Sequence, residues 1–141
     1  MAELNVPALE TTVHKTNQWL NDTEQALHLD SRVNAYNLLR ATLHLIRDRI
    51  DVGEALDFAA QLPLLLKGVY FDGFTLHDAP KKARSDEELM IMFESEVCES
   101  ITIQPNDAIA GVLSVIRKHI DRGQFEHVMG QMPGQIRNLG S

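Results

Sequence analysis

Six histidines, one cysteine and twenty acidic side chains are the residues of this chain that could do chemistry, and their spacing decides whether they do. Glu10/His14 and Glu24/His28 are Glu-x-x-x-His pairs, a spacing that sets both side chains on one helix face, where a metal could be held. The two pairs begin fourteen residues apart, ~21 Å along a helix at 1.5 Å per residue, so they cannot share one ion within a chain. No Glu-x-x-His, His-Glu-x-x-His or Cys/His spacing of a known metal site occurs. Both pairs read as helix-surface contacts of small stabilising value, and no metal is expected.

Cys98 has Glu94, Glu96 and Glu99 about it, surroundings that raise a thiol pKa and suit an inert side chain better than a nucleophile. Gly-x-Ser-x-Gly, phosphate-loop and dinucleotide fingerprints are absent. Arg47 and Arg117 could hold an anion symmetrically, but each is expected to bond helix-end carbonyls or a nearby carboxylate. The six carboxylates between Asp86 and Glu99 read as the solvated face of a helix whose other face is Met90, Phe93 and Val97. No catalytic, cofactor-binding or metal residue is assigned, and the chain does not read as an enzyme.

The balance of charge excludes a further class. Thirteen basic against twenty acidic side chains leave −7, and an acidic surface repels phosphate backbones, so no nucleic-acid partner is expected. The one basic cluster, Lys81-Lys82-Ala83-Arg84, is followed at once by Asp86, Glu87 and Glu88. A single cysteine fits a reducing compartment. The opening residues do not resemble a signal peptide, and Leu62 to Leu66 is far short of the ~20 apolar residues of a membrane helix. The expected location is the cytoplasm, with no membrane partner.

The elements that must position these residues are helices. Leu9, Val13, Thr16, Leu20, Thr23 and Leu27 step by four and three, one face of a helix. A second stripe runs Val33, Tyr36, Leu39, Leu43, Ile46, Ile50, widened by Ala35, Leu38 and Ala41; a third runs Ala55, Leu56, Ala59, Leu62, Leu66, Val69. No strict alternation competes with them. At 141 residues, 44% hydrophobic and 23% charged, the chain is expected to form one all-α domain over 1–141.

The pattern then restarts. Matching each residue of 41–71 with the one 70 positions on gives eight identities: Leu43/Leu113, Ile46/Ile116, Arg47/Arg117, Ile50/Ile120, Asp51/Asp121, Gly53/Gly123, Gln61/Gln131 and Pro63/Pro133. Roughly two would arise by chance from ordinary composition. The expected architecture is a compact helical bundle of two tandem, internally duplicated units, about 10–71 and 86–141, with a linker over 72–85. Asp51 and Asp121, three residues before Glu54 and Gln124, are expected to form capping boxes. Pro63 and Pro133 should each break a helix and stand at the first position of the next piece.

Several segments together resemble a known family. Thr11-Thr12-Val13-His14-Lys15-Thr16-Asn17-Gln18-Trp19-Leu20, Ala35-Tyr36-Asn37-Leu38-Leu39-Arg40-Ala41, Arg47-Asp48-Arg49-Ile50, Gln61-Leu62-Pro63 and Gly68-Val69-Tyr70-Phe71-Asp72-Gly73-Phe74 resemble the bacterial family called domain of unknown function 2267, over nearly the whole chain. The resemblance implies a small all-helical bacterial protein in a stress or regulatory setting, and carries no catalytic residue or cofactor with it.

Residues kept in both halves serve the fold, so function is expected where the halves differ: the linker with Tyr70, Phe71, Phe74 and Leu76, the helix of Trp19, and the acidic helix. The expected function is a non-enzymatic module that binds a protein partner or itself as a homodimer, through Trp19, Phe71, Phe74, Ile136 and Leu139. The alternative is a small-molecule carrier or sensor with an apolar pocket between the units, lined by Met90, Met92, Phe93 and Met129.

Overall fold

A computed structural model describes residues 5–76, 85–97 and 102–140. Among them are eight helices and no strand: α1 Pro7–Leu27, α2 Arg32–Arg49, α3 Val52–Ala59, α4 Leu64–Phe71, α5 Asp86–Glu94, α6 Pro105–His119, α7 Arg122–Gln131 and α8 Gly134–Leu139. Cys98 and the basic cluster at 81–84 lie outside the described residues, as does most of the 72–85 linker.

Local chemistry sets the helix ends. Pro7 opens α1, where a missing N–H costs nothing. His28 closes it in the left-handed region at φ 54°, and Leu29 N donates back to Glu24 O at 2.9 Å. Ser31 and Ser85 cap α2 and α5 by accepting from Asn34 N and Glu88 N. Pro63 and Pro133 do mark breaks, at closely similar φ/ψ of −55°/149° and −53°/149°. They stand one residue earlier than expected, at the N-cap, so α4 and α8 begin at Leu64 and Gly134.

The core lies along α2 and α6, which pack on each other. α2 is buried from Ala41 to Asp48 without a break, and α6 buries Ala108, Ile109, Val112, Leu113, Val115 and Ile116. α1 packs on α6, α2 and α4, and α5 packs on α2 and α6. A helix touching two neighbours buries a wide arc, which is why Trp19, one step off the α1 stripe, is only 3% exposed. Val33, Tyr36 and Leu56, all on predicted stripes, are exposed instead.

Contacts between the halves recur at a register of 70. Gln61 Oε1 accepts from Asp121 N at 3.1 Å, and Gln131 Oε1 accepts from Asp51 N at 3.3 Å. Glu54 and Gln124, 70 apart, meet each other: Gln124 Nε2 donates to Glu54 Oε1 at 2.7 Å. This corrects the expected capping boxes. Asp121 accepts from Gln124 N at 3.0 Å, but Asp51 makes no side-chain cap. Neither Glu54 nor Gln124 reaches back within its own helix, because α3 and α7 face one another and the opposite half supplies the partners.

Candidate functional site

α2 buries four polar side chains in one stretch: Thr42, His44, Arg47 and Asp48. Thr42 is satisfied locally, its hydroxyl donating to Leu38 O at 2.9 Å. The other three face outward from α2 toward the C-terminal end of α4 and the segment after α5, where they form a connected network. Arg47 donates from Nε and Nη2 to the two oxygens of Asp48 at 2.8 and 3.1 Å, a bidentate pair. Its Nη1 donates to the carbonyls of Tyr70 and Asp72 at 2.9 and 2.8 Å. A guanidinium thus ties off the carbonyls at the end of α4, with the helix dipole in its favour.

His44 continues the network. Nε2 donates to Val69 O at 2.7 Å, while Nδ1 lies 2.9 Å from Glu96 Oε1. With an acceptor at each ring nitrogen, the ring must donate on both sides or share a proton with the Glu96 carboxyl. Arg40 stands 3.9 Å from Glu96 and 3.8 Å from Asp72. Glu96 is therefore not part of a plain solvated face: it joins the end of α5 to α2.

Aromatic packing seals the same end of α4. Phe58, Tyr70, Phe71 and Phe74 form a chain of ring contacts with centroids 5.4, 5.0 and 6.0 Å apart. The Arg47 guanidinium lies 5.4 Å over the Phe74 ring. Tyr70 is fully buried and donates to Ala55 O at 3.0 Å. Burial pushes its phenol well above the usual range, so it stays a donor. Tyr70, Phe71 and Phe74 are committed to closing the fold, and only Leu76 of the expected linker edge is fully on the surface, at 66%.

Beside this network a cavity of about 160 Å³ opens between α2 and α5, lined by His44, Asp48, Arg49, Met92, Phe93 and Glu96 among others. Met92 and Phe93 line it as expected, Met90 and Met129 do not, and the wall is mixed, with Ala41, Leu45, Met92 and Phe93 beside the polar groups. Arg49 donates from Nη2 to Met92 Sδ at 3.2 Å, while its buried Nε has no partner. Burial pulls the Arg49 pKa down, against the opposing charges of Asp48, Glu88 and Glu96.

The remaining sequence candidates are dispersed. Glu10 accepts from Asn5 N, His14 faces Gln18, and Glu24 binds Arg32, so neither Glu/His pair is a unit. Among the described residues no three His, Cys, Asp or Glu side chains gather as a metal set. Arg47 and Arg117 part company, one buried and the other exposed. Trp19 and Ile136, offered as a self-association patch, are buried at 3% and 0%. Trp19 stacks on His119, which faces Asp22 at 2.6 Å. No helix of the described residues is long and apolar enough to cross a membrane.

A second feature lies at the corner between α3 and α4. Leu56, Leu64 and Leu65 are 55%, 58% and 47% exposed. Their counterparts 70 residues on are Glu126, Gly134 and Gln135. Leu65 N donates to Thr12 Oγ1 at 2.9 Å, which fixes the start of α4 on α1.

The family model for "Uncharacterized conserved protein (DUF2267)" matches residues 16–139. No curated protein matches the chain in sequence.

Proposed function

The chain belongs to that family, DUF2267, and from this premise we propose that it is a non-enzymatic helical module that binds a protein partner through the α3–α4 corner of its first half. The reading takes the two halves as copies of one helical unit, for which the reciprocal bonds of Gln61 and Gln131 are the support. One observation carries the interaction role: the first half exposes three leucines where the second holds Glu, Gly and Gln. On the reading of the halves as copies, a corner with Glu126, Gly134 and Gln135 needs no exposed leucines, which supports a role for Leu56, Leu64 and Leu65 outside the fold. Leucines paired about a helix break are the kind of surface that anchors in a partner's groove.

The test is Leu56→Glu with Leu64→Gln. Both sites are exposed, so stability should change by no more than about 0.5 kcal/mol. Proteins recovered on the native chain by cross-linking in cells should be lost with the variant. Recovery of the same proteins would remove this corner as the interface.

A second reading, a small-molecule sensor between the halves, draws its support from the α2–α5 cavity and the unpartnered Arg49 Nε. It calls for a ligand with both polar and apolar parts, since the wall has His44, Asp48, Arg49 and Glu96 beside Leu45, Met92 and Phe93. Native mass spectrometry of protein taken directly from cells separates the readings: a retained small mass supports the sensor.

A further inference from the structure

Arg49 and His119, 70 positions apart, are the last residues of α2 and α6, and each faces a side chain from the first helix of the other half. His119 meets the carboxylate of Asp22 at 2.6 Å, whereas Arg49 Nη2 meets the thioether of Met92 at 3.2 Å. A thioether sulfur is a weak acceptor, and the neighbouring Arg49 Nε is buried with no acceptor at all. Nε and Nη2 together form one edge of a guanidinium, spaced for the two oxygens of a single carboxylate. Two residues earlier the same edge of Arg47 is used in that way, on Asp48 at 2.8 and 3.1 Å. Arg49 has no ion pair among the described residues. Arg49 and Met92 line the cavity of about 160 Å³ between α2 and α5, with Leu45 and Phe93 beside them.

We infer that this cavity binds a small organic acid with a compact apolar body, its carboxylate seated on the Nε–Nη2 edge of Arg49. The inference rests on the sensor reading and names the class of ligand. Met92 is half-buried, and its unbranched thioether can swing off the guanidinium to admit the incoming oxygens. On the reading of the halves as copies, the ligand supplies on this side the carboxylate that Asp22 supplies on the other. Its apolar body lies against Leu45, Met92 and Phe93. An apolar cavity of about 150 Å³ takes up benzene, so the volume suits an acid the size of benzoate. Asp48, Glu88 and Glu96 stand about Arg49. Arg47 holds Asp48, and Glu96 faces His44 at 2.9 Å and Arg40 at 3.9 Å, which offsets their repulsion of an anion. A cationic head group is the opposite expectation from the same carboxylates, so the test sets one charge against the other.

The experiment titrates the full chain, labelled with ¹⁵N, with sodium benzoate at pH 7. Benzamide and benzylamine, which carry a similar ring with a neutral or a cationic head, are titrated in parallel. Benzoate should give saturable shifts at the amides of Leu45, Arg49 and Phe93 with Kd below about 1 mM, at least ~10-fold tighter than either analogue. Arg49→Met should weaken benzoate at least ~10-fold and leave benzamide within ~3-fold. Met92→Asp gives the chain a carboxylate of its own, as Asp22 does on the other side, and should abolish benzoate binding while the spectrum stays dispersed. If either variant fails to fold, the other decides together with the three-ligand comparison. Tighter binding of benzamide or benzylamine at these amides overturns the carboxylate and leaves the sensor reading standing. Benzoate binding indifferent to both variants, or no saturable shift with benzoate, overturns the inference, and native mass spectrometry then decides the sensor reading by itself.

Discussion

His119 Nε2 lies 2.6 Å from Asp22 Oδ2, and the residues matching them at the register of 70, Arg49 and Met92, also meet, at 3.2 Å. Positions 70 residues apart thus place an imidazole on a carboxylate on one side of the molecule and a guanidinium on a thioether on the other. Asp22 is further engaged by Lys118 at 3.2 Å, and Trp19 covers the imidazole at a centroid distance of 4.7 Å and 17° between planes.

Asp22→Asn should therefore destabilise the protein by about 1–2 kcal/mol at pH 7, the cost of a charge-assisted bond in a half-buried setting. Burial opposes ionisation of Asp22, but the hydrogen bonds and charges of His119 and Lys118 outweigh it and hold its carboxyl below the ordinary 3.8. A depressed folded-state pKa contributes stability that is complete above the unfolded value and is lost as pH falls through the folded one. The native chain and Asp22→Asn should differ at pH 7, and the gap in urea denaturation should begin to narrow as pH falls below about 4. A gap that persists unchanged at pH 3 would show that the pairing is not its source.

Arg47→Ala should cost about 3–5 kcal/mol, because it breaks the buried bidentate pair with Asp48 and frees the carbonyls of Tyr70 and Asp72. Arg47→Met with Asp48→Leu should cost less than Arg47→Ala alone, since apolar side chains replace the buried pair where the single change breaks it. A double variant as unstable as the sum of its singles would mean the two side chains act independently.

Thr12 and Thr16 sit one turn apart on α1, both buried, with opposite bonding. Thr12 Oγ1 accepts from Leu65 N at 2.9 Å, while Thr16 Oγ1 is buried with no partner. Thr12→Val should lose about 1–2 kcal/mol by leaving a backbone N–H unmet, and Thr16→Val should be neutral or stabilising. Thermal melts of the two variants check the sign of the difference.

The helices were legible because their apolar positions recur at three and four over whole segments, and the breaks because proline acts through local backbone sterics. The polar network was not. His44 and Asp48 are four apart inside an apolar run, yet only burial by α4 and the segment after α5 turns them into partners of Val69, Glu96 and Arg47. Their mates Ser114 and Lys118 differ in kind, and that difference was the one signal available. Trp19 was misplaced for a related reason: a stripe describes one contact face, and α1 has neighbours on more than one side. Val33 and Leu56 erred the other way, continuing a stripe past the point where anything packs against it.

The exchanged bonds of Gln61 and Gln131 have a consequence for the order of events during synthesis. Asp51 and its partner Gln131 are 80 residues apart, and at about 5–20 residues per second a ribosome needs roughly 4–16 s to supply the second after the first. For most of that interval α1 has emerged but α6, against which it packs, is not yet complete. The early half of the newborn chain waits with the part of α1 that α6 will cover still open, a span in which holdase chaperones and proteases have access that the finished protein denies them.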